Sequence, residues 1–394
     1  MQYSLKKAFN FIKFKDILHL FIAAFILPYA LIAKIFIRDF WLICEDRNEA
    51  RDNGYWLFKW IRENKPKQKI SYAIDKKSSD YDKVKKLGKI ISYGTLSHWF
   101  WYIVADKNIS SQKGGKPNAA VCYLFEVVFK MRKNNRIFLQ HGVIMNDLKW
   151  LYYNNCYFKM FCCSAKPEYE YVSTHFGYPE GIVKCLGLTR FDGLHDAETD
   201  NNLILVMPTW RNWISREGRD NQNLNFLQTE YFRRWSEFLN SPELTRLLEK
   251  YNKKLLFYPH RNMQKFLGSF STNSNHIEIA DCKKYDIQDV LKRAALMITD
   301  YSSVFFDFAY MRKPVIFYQF DEKEFREKQY GEGYLDYHDT VLGSWSDSLP
   351  HTLELLEKQI ISGIKPVEEA VIRQFFPLWD NQNCKRTYES IASI

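Results

Sequence analysis

Strand-like and helix-like segments alternate along this chain twice over, and that alternation confines it to parallel α/β sheets. In the first half, FWLIC (40–44) leads to a helix from about Asp52 to Glu63, then KISYAID (69–75) and a helix near 80–86. KIIS (89–92), a helix near 96–104, and strands VCYLFEVVFKM (121–131), RIFLQ (136–140), YFKMFCCS (157–164) and IVKCLG (182–187) follow. The second half restarts with LILVM (203–207), helices near 228–239 and 242–251, LLFYP (255–259) and HIEIA (276–280). A helix from Asp286 to Ala294, LMIT (296–299), a helix from Ser302 to Met311, PVIFYQ (314–319) and further helical patterns complete it. A chain of 394 residues exceeds one ordinary core and suits two domains of roughly 150–200 residues. The expected organisation is a segment 1–38 that associates with a membrane, a Rossmann-like domain 39–190 and a second Rossmann-like domain 203–394. The closing helices are free to pack back on the first. The polar, aperiodic stretch 188–202 reads as the linker, and a cleft between the domains is expected.

In such sheets ligands bind beyond the carboxyl ends of the strands, so the residues just after each strand are the place to look. Four polar clusters stand there: Gln140-His141-Gly142, Pro208-Thr209-Trp210-Arg211, Pro259-His260-Arg261-Asn262, and Thr299-Asp300-Tyr301-Ser302-Ser303 with Asp307 a turn later. A fifth, Glu45-Asp46-Arg47 with Arg51-Asp52-Asn53-Gly54, follows the first strand. Ser302 and Ser303 read as the first turn of a helix, where unpaired N–H groups favour an anion. Asp307, four residues after Ser303, would share its face and accept from ribose hydroxyls; alternatively, Ser302 only caps the helix. Arg211, His260 and Arg261 supply positive charge suited to a pyrophosphate. His141, followed by glycine, is the candidate base for an acceptor hydroxyl, although an isolated histidine of this kind can equally be a satisfied core residue.

The net charge of +10 favours anionic partners: nucleic acid, acidic lipid, nucleotide diphosphates or polyphosphate polymers. No Walker A loop, GxGxxG, GxSxG or HExxH occurs, which removes the main support for ATPase, dehydrogenase, hydrolase and zincin readings. The 8 cysteines form no CxxC pair and several lie in apolar runs, so a reducing compartment is expected and no metal site.

Residues 17–33, ILHLFIAAFILPYALIA, carry no formal charge. Lys6, Lys7, Lys13 and Lys15 precede them; Lys34 and Arg38 follow. The run is short for a span, which wants about 20 apolar residues, and contains Pro28. The basic flanks suit an interfacial anchor on an anionic leaflet; the alternative is a buried helix of the first domain.

The segments LQHGVIMND, MPTWRNW, YPHRNM and ITDYSSVFFDFAYMRKPVIFYQFD, with ARDNGYWLFKWIRE and GYLDY (333–337), resemble the CDP-glycerol glycerophosphotransferase family, polymerases of teichoic acids and related capsules. The resemblance runs from about residue 40 to 340. It departs from the family pattern at HGVIMND, where an HGTP-type motif is common, and at LGSWSDS after GYLDY. It implies a GT-B fold without a catalytic metal or cofactor, acting on CDP-glycerol or a similar CDP-alcohol. By that resemblance His141 is the base and His260 binds pyrophosphate and assists CMP departure. Arg211, Ser302 and Ser303 hold phosphates, and Asp307 binds ribose. Thr209, Arg261, Asp300, Arg51 and Asn53 complete the expected substrate contacts. The implied acceptor is an anionic or lipid-linked polymer at the cytoplasmic face of the membrane, with the enzyme attached peripherally. A GT-B glycosyltransferase using a nucleotide sugar is the rival enzyme. A basic protein binding nucleic acid or acidic membrane is the rival outside enzymology, but the basic residues are scattered and no nucleic-acid motif appears.

Overall fold

The computed structural model describes residues 13–130, 135–196, 198–215 and 226–394. Lys6 and Lys7 of the basic flank, the side chain of Lys15, Met131 at the end of one expected strand, and Ala197 in the expected linker lie outside the described residues. The chain forms two compact units. The first comprises Met1–Val143, Lys149–Asp192 and Asp380–Ile394; the second comprises Ile144–Leu148 and Gly193–Trp379.

The first unit is built on seven parallel strands: β1 (Phe40–Cys44), β2 (Lys69–Ile74), β3 (Ile90–Ser92), β4 (Lys107–Ser110), β5 (Arg136–Phe138), β6 (Met160–Cys163) and β7 (Val183–Cys185). Their order is β3-β2-β1-β4-β5-β6-β7. Both faces are covered, so β1 is buried at every position, as a central parallel strand must be. Trp41 and Ile43 join Leu57, Phe58 and Ile61 of the helix Asn53–Asn64 in one core. Phe40, Leu42 and Cys44 point the other way, toward Trp99 and Tyr102 of the helix Leu96–Val104.

The second unit repeats the plan with six parallel strands: β8 (Asp200–Met207), β9 (Lys254–Phe257), β10 (Ile277–Ile279), β11 (Ala294–Thr299), β12 (Val315–Tyr318) and β13 (Ser344–Ser346). Their order is β10-β9-β8-β11-β12-β13. Its core gathers Ile204, Val206, Phe257 and Ile298 from the sheet with Trp235, Leu248 and Leu356 from helices. Two of those helices start where the sequence caps them. Thr229 accepts from the Phe232 N–H, and Ser241, followed by Pro242, accepts from the Leu244 N–H. In each sheet the strand order reverses once, between β1 and β4 and between β8 and β11. These are the switch points at which α/β sheets bind ligands.

The structure departs from the sequence reading in three places. Residues 121–130 are not a strand: Ala119–Tyr123 is α-helical and Leu124–Val128 a π-helical turn. The strand the sheet needs there is β4, whose polar KNIS hides it from a hydrophobicity reading. The Asn108 amide donates to Tyr102 O at 3.0 Å and Asn135 Oδ1 at 2.9 Å. The stretch 188–202 is not a plain linker. Thr189–Gly193 is a 3₁₀ turn with Thr189, Arg190 and Phe191 buried, and Asp200–Asn202 open β8. Its polar side chains are consumed by hydrogen bonds described below.

The N-terminal helix runs Phe14–Phe36 with Pro28 inside it, so it is longer than the uncharged run. One face is docked on the first unit. Ala23 and Ala30 are buried, the Trp99 indole donates to His19 Nδ1 at 2.9 Å, and Asn118 donates to Asp16 at 2.7 Å. The opposite face exposes Leu18, Phe21, Phe25, Tyr29, Ile32 and Phe36, each by more than half.

Candidate active site

In the first unit the chain leaves β5 through Gln140, whose φ of 48° is left-handed. A residue with a Cβ holds that conformation only where its surroundings impose it. Here they do. The wholly buried Asn53 donates to Gln140 O at 2.7 Å, and the Gln140 amide donates to Glu168 at 2.9 Å. Arg190 donates from Nη1 to His141 O at 2.8 Å and to Asp52 at 3.0 Å, while its backbone N–H reaches Asn53 Oδ1 at 3.0 Å. Thr189 Oγ1 donates to Asn53 O at 2.6 Å. The backbone on both sides of His141 is thereby fixed, and its imidazole is exposed at the strand end.

Beneath this clamp lies Glu45, 3% exposed. It accepts from the N–H groups of Gly54 at 2.7 Å and Tyr55 at 3.1 Å, from the Tyr72 hydroxyl at 2.5 Å, and from the Ser111 hydroxyl. It thus ties the start of the helix that carries Asn53, as a carboxylate at a helix N-terminus should. Position 54 must be glycine, because a Cβ would lie 2.7 Å from Glu45 Cδ. Burial, and then the neighbouring charge of Asp52, push the Glu45 carboxyl up to about 7. Arg51 is half-withdrawn, paired with Asp80 at 2.9 Å.

In the second unit Arg211, expected to hold phosphate, is wholly buried. Its guanidinium donates to both oxygens of Asp321, at 2.7 and 2.9 Å, to Thr209 O at 3.0 Å, and pairs with Asp300 at 2.9 Å. Tyr231, Tyr301 and Phe325 surround it with their rings at 5.0 to 5.2 Å. Asp300 also accepts the N–H groups of Thr209 at 2.8 Å and Tyr301 at 2.6 Å, which bolts the β8 and β11 ends together across the switch point. Arg211 and Asp300, expected as substrate contacts, form the buried frame of the loop in this structure. Asn53 is placed likewise, its amide being spent on the clamp.

The loop around this frame carries the accessible groups. His260 is partly exposed, and its Nδ1 accepts the Asn262 N–H at 3.2 Å, so the neutral ring bears its proton on Nε2. Its ring stacks on Trp210, centroids 6.1 Å apart. Gln329 holds that loop by donating to Trp210 O at 3.1 Å and accepting the Asn212 N–H at 2.7 Å. Arg261 is exposed, and Ser303 is partly exposed. Thr209 Oγ1 is buried with no hydrogen-bond partner among the described residues.

The helix expected from Ser302 starts at Phe305 instead. Ser302 and Ser303 form the preceding turn, accepting the Phe305 and Phe306 N–H groups at 3.2 and 3.1 Å. The helix is one and a half turns long and buried on every side, so Asp307, 3% exposed, is not displayed on an open face. Among the described residues no three His, Cys, Asp or Glu side chains gather as a metal site.

Three candidates were missed: Arg190, Asp321 and Gln319. Arg190 follows β7 as the other clusters follow their strands, but lay inside the presumed linker. Asp321 and Gln319 stand after β12, and Gln319 donates to Asp300 O at 2.8 Å. Asn146 and the GYLDY segment belong together in the second unit. Arg326 donates to Asn146 at 2.8 Å, the Tyr337 hydroxyl reaches Met145 Sδ at 3.3 Å, and Gly333 packs so tightly that a Cβ would lie 2.1 Å from Met145 O.

Two Rossmann-type parallel sheets, each with its polar loops beyond the carboxyl ends, define a GT-B protein. Solved structures of that architecture superpose on it. The wall teichoic acid polymerase TagF does so with TM-score 0.64 at 13% identity over 100% of this chain and 98% of that one. The UDP-GlcNAc 2-epimerase of Methanocaldococcus jannaschii does so with TM-score 0.53 at 14% identity over 90% and 99%. The sequence model of the CDP-Glycerol:Poly(glycerophosphate) glycerophosphotransferase family matches residues 38–393, and the chain belongs to that family. Among curated relatives, the minor teichoic acid biosynthesis protein GgaB of Bacillus subtilis (strain 168) is 32% identical over 373 residues, 90% of this chain. The teichoic acid ribitol-phosphate polymerase TarL of Staphylococcus aureus (strain NCTC 8325 / PS 47) is 23% identical over 245 residues, 58% of this chain. The chain spans 40% of the length of each of these two relatives.

Proposed function

We propose that this chain transfers a polyol phosphate, foremost glycerol phosphate, from a CDP-alcohol to a hydroxyl of a teichoic-acid-like or capsular polymer, releasing CMP. The observation that carries the reading is the exposed His141 held on a left-handed residue by a buried clamp. Strain of that kind is stored where a side chain must be presented. His141 takes the proton of the acceptor hydroxyl as its oxygen bonds to the β-phosphorus. The bond from that phosphorus to the bridging oxygen breaks, and the electron pair leaves on CMP. His260, with its proton on Nε2, donates to the pyrophosphate, and Arg261 adds positive charge. The buried Thr209 hydroxyl suits a phosphate oxygen, since buried polar groups are rarely left unpaired. Ser302, Ser303 and Asp307 complete the CDP-binding side after local opening of the turn, and Arg51 lies on the acceptor side. No cofactor enters the scheme, and no metal does.

The test is CMP release from a panel of CDP-alcohols, with and without a phosphopolymer acceptor. His141→Ala should lower turnover by roughly 10² or more, the scale of general-base loss, with CDP-alcohol binding kept. His260→Ala should weaken both, and EDTA should change neither. Near-normal turnover in His141→Ala, or EDTA inhibition reversed by Mg²⁺, would overturn the scheme.

The same reading places the chain at the cytoplasmic face of the membrane, attached through Phe14–Phe36. Within that helix the 21-residue stretch Asp16–Phe36 is long and apolar enough to cross a bilayer. Its docked face is bonded to the first unit from Asp16 to Lys34, which favours lying in the interface with the apolar face inserted. Replacing Phe21, Phe25 and Ile32 by serine leaves the docked face intact. It should abolish flotation with anionic vesicles while the thermal midpoint is kept; unchanged flotation would sink the anchor.

A further inference from the structure

Between the N-terminal helix, the helix Leu96–Val104 and the π-helical turn Leu124–Val128 lies a half-open cavity of about 650 Å³. Its size falls within the roughly 300–1,000 Å³ typical of small-molecule sites. Its wall on the N-terminal helix runs from Ala23 and Ala24 past Leu27 and Leu31 to Lys34. The eleven helical rises from Ala23 to Lys34 make that wall about 16 Å long. Across from it stand Trp99 and Phe125. The buried carboxylate in the wall, Glu126, is already satisfied by Lys116 Nζ at 3.0 Å and the Tyr102 hydroxyl at 2.5 Å. The interior is therefore apolar along its length, and the polar groups collect at one end. There Lys34, its side chain 33% exposed, lies 3.8 Å from Asp106.

We infer that this groove holds one acyl chain of an anionic phospholipid, its headgroup at Lys34. The inference rests on the interfacial reading of the N-terminal helix. A long apolar trough ending in a partly exposed ammonium, which also donates to Ile103 O at 3.5 Å and Ala105 O at 3.3 Å, matches the two ends of such a lipid. The small Ala23 and Ala24 leave room at the far end. The open side is edged by Leu27 and Leu31, 44% and 53% exposed, which continue into the apolar face carrying Phe21, Phe25 and Ile32. A chain from the leaflet thus enters sideways without crossing polar surface, and it covers apolar area that the unit leaves bare.

The experiment uses full-length protein on phosphatidylglycerol vesicles doped with phosphatidylglycerol bearing a diazirine in one acyl chain. After irradiation the labelled positions are mapped by mass spectrometry. Labels are expected on Trp99, Tyr102 or Phe125 as well as on the outer face of the helix. Ala24→Phe and Leu31→Trp, which fill the trough, should lose the interior labels and keep the outer ones. Labels confined to the outer face of the wild type, with the protein still floating with the vesicles, would overturn the groove and leave the anchor standing. Interior labels unchanged in both variants would overturn it too. Failure to float at all would remove the anchor and the groove together. The wild-type map decides even if a variant misfolds.

Discussion

His141 and Arg211 follow their strands in the same way, yet the structure treats them oppositely. One is pushed outward by a clamp of buried polar residues; the other is the buried centre of such a clamp. In the first unit Asn53 and Arg190 donate to the backbone around His141 and Glu168 holds the Gln140 amide, while the imidazole is exposed. In the second unit Arg211 spends every direction on Asp321, Asp300 and Thr209 O. A polar residue after a strand marks where a site is built, and burial decides whether that residue is tool or scaffold.

The sharpest way to break this contrast is Arg211→Ala. Removing one partner of a buried ion pair typically costs about 3–5 kcal/mol because it strands the opposite charges. Urea unfolding should show a loss on that scale, whereas His141→Ala should leave the midpoint unchanged. An Arg211→Ala protein as stable as wild type but inactive would return Arg211 to the phosphate. Next in size, Asn53→Ala leaves Gln140 O without its buried donor, a loss of roughly 1–3 kcal/mol. Its kinetic signature should be a fall in kcat with KM for the CDP-alcohol unchanged, since the loop proposed to bind the CDP-alcohol belongs to the second unit. A change confined to KM would contradict a positioning role for the clamp. The smallest effect concerns Glu45. Its folded carboxyl is raised from 4.5 to about 7, so between those values the folded chain binds more protons than the unfolded one. Stability from this group therefore falls as pH rises through that window. Glu45→Gln cannot titrate, so the stability gap between wild type and variant should narrow from pH 5 to pH 7. A gap that widens would mean the four donated hydrogen bonds outweigh burial.

Much of the architecture was legible because apolar runs of four to six residues, separated by amphipathic stretches, are hard to read otherwise. The helix Leu96–Val104 and strand Phe40–Cys44 fall where the pattern puts them. β4 was illegible because its buried residues include Lys107, Asn108 and Ser110, and the Asn108 amide finds acceptors in Tyr102 O and Asn135 only in the folded chain. Residues 121–128 misled because aromatic and β-branched residues fit a strand as well as a packed helical turn. The strand-end rule picked out the polar loops of each unit. It could not show that Arg211 would meet Asp321, 110 residues further on, nor that Arg190 would reach back to His141. Such pairs are made by the tertiary fold alone.

The return of residues Asp380–Ile394 to the first unit has a consequence for how the chain is made. Tyr388 sits with its ring 5.3 Å from Trp41 and 5.6 Å from Trp60, and Ile391 is wholly buried in the core beneath β1. Asp192 accepts the N–H groups of Asn383 and Cys384, each at 2.8 Å, fixing the start of that helix. A ribosome adding about 5–20 residues per second needs on the order of 10 s or more to pass from Asp192 to Asp380. For that interval the first unit has its strands but lacks its last helix, and Trp41 and Trp60 face whatever is near. The second unit is not so delayed, because Ile144–Leu148 emerge before the Gly331 and Gly333 region they pair with. The unit synthesised first is thus the one completed last. A nascent chain stalled before Asp380 should expose its Trp41 face to chaperones, and release should follow translation of the helix Asn383–Ala392.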